Sequence, residues 1–374
     1  MLSLLIASCL APPPTQAQDV NRYTDRTDLW ERWETDVLWG FGNMYNPQVV
    51  AVPGDEYPYR MWFFGWAKED CNPGYSGCDA IYHARGSDLD TWEVWCGDGE
   101  WDATMDAGKW APVISARDEP WDQWHNGDPS VVLHEGTYYM AYSSTGFDLD
   151  GIMYGMPGDT DGDILCVMGA TSPDGIEWTK SERPILIYEP EIGKPGYRPE
   201  QHDAVNGGMY HRPSLMWDDG RWKLWFDYWA DTARGVSMGL AEREGDFLDP
   251  ATWTARHAGD DPCLAQWVNP DVVRVGDRYY SYADPYVYGE RPFHIWTGRQ
   301  ITEAVSDDGI TWQELGFIAP DSDAPALHVP EALVIEEDGE TWIVLFYACQ
   351  IGGEPEYNYR YSRIRYMKRK VEVE

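Results

Sequence analysis

The chain has 374 residues, and 64 Asp and Glu residues against 28 Lys and Arg residues give a formal net charge of −36 at pH 7. A protein this acidic repels polyphosphate and anionic lipid headgroups, which argues against nucleic-acid binding. Its 21 Trp and 24 Tyr residues are far above average usage, and 36 Gly with 26 Pro residues supply many turns, so the composition predicts an all-β protein.

The first 18 residues predict export. Residues 2–9 are too short for a membrane span but suit the apolar part of a signal peptide. Residues 6–9 (IASC) resemble a bacterial lipobox, in which Cys9 becomes the lipidated N-terminus and residues 11–18 form a stiff tether. Ordinary signal cleavage near Ala17 is the alternative. Both readings predict an exported protein, either an outer-membrane lipoprotein that touches the membrane only through its lipid or a periplasmic or extracellular protein.

One short unit returns five times between about residue 39 and the C-terminus. Its copies are residues 46–50, 128–132, 212–216, 269–273 and 330–334, and each is followed, after a turn, by an aromatic strand. A unit that recurs in this way predicts a β-propeller with five four-stranded antiparallel blades around a central pocket. Residues 19–374 are therefore predicted to form one domain, in which residues 19–38 add a short helix or a strand that closes the ring.

A second element, Ser-x-Asp-Gly-Ile-x-Trp, occurs at residues 172–178 and 306–312, with shorter versions at 87–92 and 248–253. Its Ser and Asp side chains can hold a tight turn while the Trp packs between sheets, so we interpret it as scaffold.

Three insertions, at residues 98–123, 147–163 and 189–208, are predicted to lie over one face and shape a pocket. Residues 159–163 resemble a calcium loop but lack its downstream Glu, so a surface turn is predicted there. A structural calcium ion stays an open alternative, and no cofactor or metal site is predicted.

Six cysteines remain after Cys9, an even number that permits disulfides in an exported protein. Cys71 and Cys78 enclose a loop short enough to close. The other pairings stay open, and no Cys or His spacing indicates zinc.

The propeller prediction locates the candidate site, because the innermost strands of all blades begin around the axis. The polar residues at these strand starts are, in blade order, Asn46, Asp128, Arg212, Asn269 and Glu331. Further polar residues flank them, namely His125, Asn126, His211, Asp271 and His328. We predict that these residues share one pocket, with Asp128 and Glu331 at equivalent positions of the second and fifth blades. Glycosidic cleavage commonly uses two such carboxyl groups.

Aromatic residues near the strand starts could stack on sugar rings. They are Trp39, Tyr45, Trp66, Trp124 and Trp267, of which Trp267 is the predicted substrate contact.

Residues 127–132 with Tyr138 and Tyr139, the two Ser-x-Asp-Gly-Ile-x-Trp turns and residues 328–332 resemble the five-bladed propeller glycoside hydrolases. These comprise the arabinanase and β-xylosidase group (glycosyl hydrolase family 43-like) and its invertase-like relatives. The resemblance covers about residues 39–370. It implies a base Asp on one blade, a pKa-tuning Asp two blades further on, and an acid Glu on the next blade.

Carried onto this chain, the resemblance makes Asp128 the base and Glu331, in its His-x-x-Glu context, the acid. The middle position falls on Asn269-Pro270-Asp271, where Asn269 replaces the expected Asp and Asp271 is the nearest carboxylate. The match starts at the second blade, because the first blade carries Asn46 where the family has Asp.

The leading hypothesis is an exported, monomeric glycoside hydrolase that cleaves a neutral plant or algal oligo- or polysaccharide. The alternative is a cell-surface propeller that binds glycan without cleaving it, which Asn46 and Asn269 would favour. A sialidase-like enzyme is a weaker third hypothesis, because no arginine cluster for a carboxylated sugar is evident.

Overall fold

A computed structural model describes residues 24–41, 43–67, 78–117, 122, 125–147, 163–187, 210–231, 235–249, 253–258, 261–285, 299–321, 323–324, 326–350 and 362–373. The export segment, the Cys71–Cys78 loop and the insertions at 147–163 and 189–208 lie wholly or largely outside these ranges. Among the described residues, Cys96, Cys166, Cys263 and Cys349 form no disulfide. Within the described ranges, no helix is both long and apolar enough to cross a bilayer.

The strands form five antiparallel sheets. The first blade consists of β2 (Met44–Ala51), β3 (Tyr59–Ala67), β4 (Cys78–Gly86), β5 (Trp92–Gly97) and β6 (Glu100–Asp102). The second has β7 (His125–His134), β8 (Thr137–Phe147), β9 (Asp163–Ser172) and β10 (Thr179–Lys180). The third has β11 (Tyr210–Asp218), β12 (Arg221–Asp231), β13 (Gly235–Arg243) and β14 (Thr254–His257). The fourth has β15 (Asp271–Val275), β16 (Arg278–Ala283), β17 (Ile301–Ser306) and β18 (Gln313–Ile318). The fifth has β19 (Leu327–Glu337), β20 (Glu340–Gln350), β21 (Ser362–Val371) and β1 (Glu31–Trp39).

The inner strands touch one another in the cyclic order β2, β7, β11, β15, β19 and back to β2. This closed ring confirms the predicted five-bladed propeller. Four blades have the predicted four strands, and the first blade gains a fifth because the short β6 folds back on β5.

The ring is closed by the N-terminal segment, as predicted. After a 3-10 turn at Thr27–Leu29, β1 pairs with β21 and so becomes the outermost strand of the last blade. Two partly buried ion pairs attach it, because Arg32 contacts Asp321 at 2.7 Å and Arg365 contacts Asp36 at 2.8 Å. The two ends of the chain are therefore held in one sheet.

The Ser-x-Asp-Gly-Ile-x-Trp turns join neighbouring blades, which agrees with the scaffold interpretation. The Gly175 carbonyl accepts hydrogen bonds from its own turn's Trp178 at 3.0 Å and from Trp62 of the first blade at 2.9 Å. The Gly309 carbonyl is used in the same way by Trp312 and Trp225. Both glycines have positive φ, which exposes the carbonyl to two indole groups at once.

Candidate active site

A backbone irregularity repeats at the start of every inner strand. The residue before each proline has a positive φ, and these five residues are Asn46 (54°), Asp128 (47°), Arg212 (44°), Asn269 (53°) and Val329 (47°). We call them the pre-proline ring. In β2, β7, β11 and β19 the pairing register shifts at this point, as in a β-bulge. Proline suits the position because it has no N–H to pair.

The bulge corrects one prediction about the site. Glu331 follows its proline whereas Asp128 precedes its own, so the two residues are not at equivalent positions. Val329 occupies the place that corresponds to Asp128. Glu331 instead belongs to a second set, the post-proline ring, which consists of Gln48, Ser130, Ser214, Asp271 and Glu331.

The post-proline ring links the blades to each other. Ser130 Oγ accepts from the Leu215 N–H of the next blade at 2.8 Å, and Ser214 Oγ accepts from the Val272 N–H at 2.9 Å. Asp271 continues the pattern by accepting from the Ala332 N–H at 2.6 Å, and its other oxygen accepts from Ser214 Oγ at 2.9 Å. These contacts fix the strand starts relative to one another.

Asp128 is 1% exposed and lies among three basic groups. Its Oδ2 is 3.6 Å from His125 Nε2, 3.3 Å from His211 Nε2 and 3.8 Å from Arg212 Nε. Burial alone would raise the pKa of Asp128, but these neighbours outweigh it and hold the pKa below its ordinary value. Asp128 is therefore an ionised carboxylate beside partly exposed cationic and imidazole side chains.

Two further carboxylates, which the sequence analysis missed, support the histidines. Asp79, on β4, lies 2.6 Å from His125 Nδ1, and Asp227, on β12, lies 4.0 Å from His211 Nδ1. Burial opposes a charge on His125, but Asp128 and Asp79 raise its pKa to about 9. Burial lowers the pKa of His211 to about 3, so the imidazole of His211 is neutral. Burial raises the pKa of Asp227 to about 6.

Glu331 has the opposite environment to Asp128. It is 5% exposed and stands next to Asp271 in the post-proline ring. Burial, and after it the negative charges of Asp271 and Asp128, raise the pKa of Glu331 well above its ordinary value. Burial also raises the pKa of Asp271, to about 6, although its hydrogen bonds oppose the shift. The surroundings of Glu331 therefore favour its protonated form.

Four other predicted site residues are buried. Asn46 and Asn269 are buried and bridge structural elements, because Asn46 donates to the Pro129 carbonyl at 2.9 Å and Asn269 donates to Asp284. His328 is also buried, and this burial lowers its pKa to about 3. Asn126 Oδ1 accepts a hydrogen bond from Lys180 of the outer strand β10 at 3.2 Å. That contact ties Asn126 to the scaffold of its blade.

Three of the five aromatic candidates have described side chains, and two of these three are buried. Trp267 is 1% exposed, packs in a core cluster and donates its indole N–H to Ser281 at 2.9 Å. It offers no face to a sugar, because the core of a propeller absorbs large rings between its sheets. Tyr45 is also buried, whereas Trp39 is exposed. The side chains of Trp66 and Trp124 lie outside the described residues.

An axial cavity of about 360 Å³ runs between the inner strands and has Gln48 and Asp271 in its wall. Its lining is mainly aliphatic and includes Val131, Leu215 and Leu333. Saccharide recognition needs hydrogen-bonding groups, and these are concentrated around Asp128 and Glu331.

Comparison with known proteins places this fold among glycoside hydrolases. No family model and no curated protein matches the chain. A solved complex of BT0996 with RGII is 16% identical, with a TM-score of 0.60 over 90% of this chain and 91% of that one. A family 117 glycoside hydrolase from Zobellia galactanivorans is 16% identical, with a TM-score of 0.55 over 91% of each chain. A thermostable family-43 glycoside hydrolase is 13% identical, with a TM-score of 0.53 over 91% of this chain and 94% of that one.

The chain therefore has the fold of the five-bladed propeller glycoside hydrolases, which is the class that the sequence motifs resemble. At these identities the likeness is one of fold.

Proposed function

We propose that the protein is a glycoside hydrolase that uses Asp128 and Glu331 as its two catalytic carboxyl groups. One observation carries the proposal: two buried carboxyl groups on the inner strands of the propeller stand in opposite electrostatic environments. Basic groups surround Asp128, whereas a second carboxylate adjoins Glu331. Carboxyl groups whose environments separate their pKa values commonly mark the acid and the base of a hydrolase.

In this mechanism Glu331 donates its proton to the glycosidic oxygen as the leaving group departs. Asp128, already ionised, acts on water or on the anomeric carbon and stabilises the positive charge that develops on the sugar ring. Asp271 keeps the proton on Glu331, because a second negative charge beside it is unfavourable. His125, His211 and Arg212 orient Asp128 and are exposed enough to contact sugar hydroxyls.

The proposed substrate is a neutral plant or algal saccharide. Its support is indirect, from fold neighbours that are titled glycoside hydrolases, including one from a marine bacterium. Export, with or without a lipid on Cys9, is also proposed, on the strength of the N-terminal segment. Labelling of cells with a radioactive fatty acid tests the lipid, since Cys9→Ala should abolish incorporation.

The test separates the two catalytic roles by the leaving group. A panel of neutral oligosaccharides and aryl glycosides is incubated with the wild type and with Asp128→Asn and Glu331→Gln. Both variants should lose hydrolysis of natural saccharides by at least about 100-fold. Only Glu331→Gln should retain activity on a dinitrophenyl glycoside, because that leaving group needs no proton. Full activity of either variant on natural saccharides would refute the assignment.

The second candidate is a propeller that binds glycan without cleaving it. The specific observation in its favour is that Asn46 and Asn269 are amides already engaged with the Pro129 carbonyl and Asp284. Glycan binding by the wild type without product, over the whole panel, would favour this candidate.

A further inference from the structure

We propose that His125, Asp128 and His211 form a binding site for a divalent transition metal ion of the zinc type. The three residues converge from two blades, since His125 and Asp128 lie on β7 and His211 lies on β11. One ligand atom of each lies within 4.8 Å of the others. Two imidazole nitrogens and one carboxylate oxygen form a donor set that zinc prefers.

The spacing of the atoms fits an ion better than it fits direct hydrogen bonds. Asp128 Oδ2 is 3.6 Å from His125 Nε2 and 3.3 Å from His211 Nε2. Good N–H···O bonds are about 2.7–3.2 Å long. Ligand atoms about 2.0–2.1 Å from a tetrahedral zinc ion lie roughly 3.4 Å from each other. Both observed distances are close to this ligand-to-ligand separation, so the site could accept an ion with small side-chain adjustments.

The polar atoms that face one another at this point are buried. Within the part of the chain that the structure describes, no hydrogen-bond partner contacts either carboxylate oxygen of Asp128, His125 Nε2 or His211 Nε2, and Asp128 is only 1% exposed. A buried carboxylate without a hydrogen bond is costly, and coordination would remove that cost. If Asp128 Oδ2 keeps its contact with Arg212 at 3.8 Å, the other carboxylate oxygen, Oδ1, is still available to the ion.

The outer nitrogens of both histidines face carboxylates, as they do in many metal sites. His125 Nδ1 lies 2.6 Å from Asp79, and His211 Nδ1 lies 4.0 Å from Asp227. A carboxylate at hydrogen-bond distance, as Asp79 is from His125, orients the imidazole and increases its basicity toward the ion.

Occupation of this site by zinc would affect the proposed catalysis. This part of the inference rests on the proposed function. Asp128 cannot coordinate an ion and act on the sugar at the same time. Zinc should therefore inhibit hydrolysis, and its removal should restore it. The proposed binding itself does not depend on any enzymatic activity.

The experiment measures zinc binding directly on the full chain. Protein stripped with EDTA and freed of chelator is titrated with Zn²⁺ in competition with a chromogenic chelator, and with Co²⁺ to read its visible absorption. We expect one site per chain. His125→Ala and His211→Ala should each weaken it by at least about 100-fold, and Asp79→Asn, which keeps all three ligands, by about 10–100-fold. His257→Ala, on the outer strand β14, removes a histidine far from the site and should bind as the wild type does.

Melting curves of the metal-free variants show whether each one is folded, and Asp79→Asn serves if an alanine variant is not. The inference is overturned if the wild type binds no zinc, or if His125→Ala and His211→Ala bind it unchanged. Zinc binding without any saccharide hydrolysis by the metal-free protein would refute the proposed function and leave the metal site standing. If the site is saturated with zinc and hydrolysis is not inhibited, the claim that zinc binding and catalysis by Asp128 exclude each other is refuted.

Discussion

Replacement of Glu331 by Gln should remove a pH-dependent loss of stability. The wild-type residue is buried and keeps its proton when folded, whereas an unfolded chain releases it above about pH 4.5, the ordinary pKa of Glu. The unfolded state then binds fewer protons, so the free energy of unfolding falls as pH rises, until the raised folded pKa is reached. Gln has nearly the same shape, donates through its amide where the acid did, and does not titrate.

The expected size follows from one proton. Each pH unit between the two pKa values costs the wild type about 1.4 kcal/mol relative to Glu331→Gln. Guanidinium unfolding followed by tryptophan fluorescence gives both curves. Glu340→Gln, at the exposed end of the same hairpin, is the control: it keeps Glu331 and should therefore follow the pH dependence of the wild type. A difference between the wild type and Glu331→Gln that does not change with pH would refute the protonated state of Glu331.

Three further variants test other parts of the structure. Ser214→Ala leaves the Val272 N–H buried without a partner and should lower the free energy of unfolding by about 1–3 kcal/mol, measured by denaturant titration. Gly175→Ala should cost at least about 1–3 kcal/mol, because a Cβ would lie 2.7 Å from an indole ring, whereas Gly220→Ala, with positive φ but open space around it, should cost less. Asp271→Asn should move the basic limb of the pH–rate profile for saccharide hydrolysis down by at least about one pH unit, since the acid loses a neighbouring negative charge.

The fold was predictable from the sequence because its local signals agree with one another. Proline at the start of each inner strand, the aromatic second strands and the Asp-Gly turns all recur with the blades, so repetition alone indicated the architecture. The same repetition could not show that the residue before proline adopts a positive φ. Asp128 lies before its proline and Glu331 after its own, so the two carboxyl groups are two positions apart in their blades and lie on either side of the bulge.

The candidate site was predicted only as far as it lies on the inner strands. Asp79 and Asp227 come from a third and a second strand, and no pattern in the sequence places them beside the histidines. Their contribution depends on the antiparallel register within each blade and on the approach of neighbouring blades. Trp267 illustrates the opposite error, since nearness to a strand start in sequence did not make it part of the pocket.

The most direct measurement is infrared spectroscopy of the carboxyl groups at pH 7 in the wild type, Glu331→Gln and Asp128→Asn. The account predicts a neutral carboxylic-acid band in the wild type that disappears in Glu331→Gln and remains in Asp128→Asn. A band that survives in Glu331→Gln, or one that is lost in Asp128→Asn instead, would contradict the assignment of acid and base at the propeller axis.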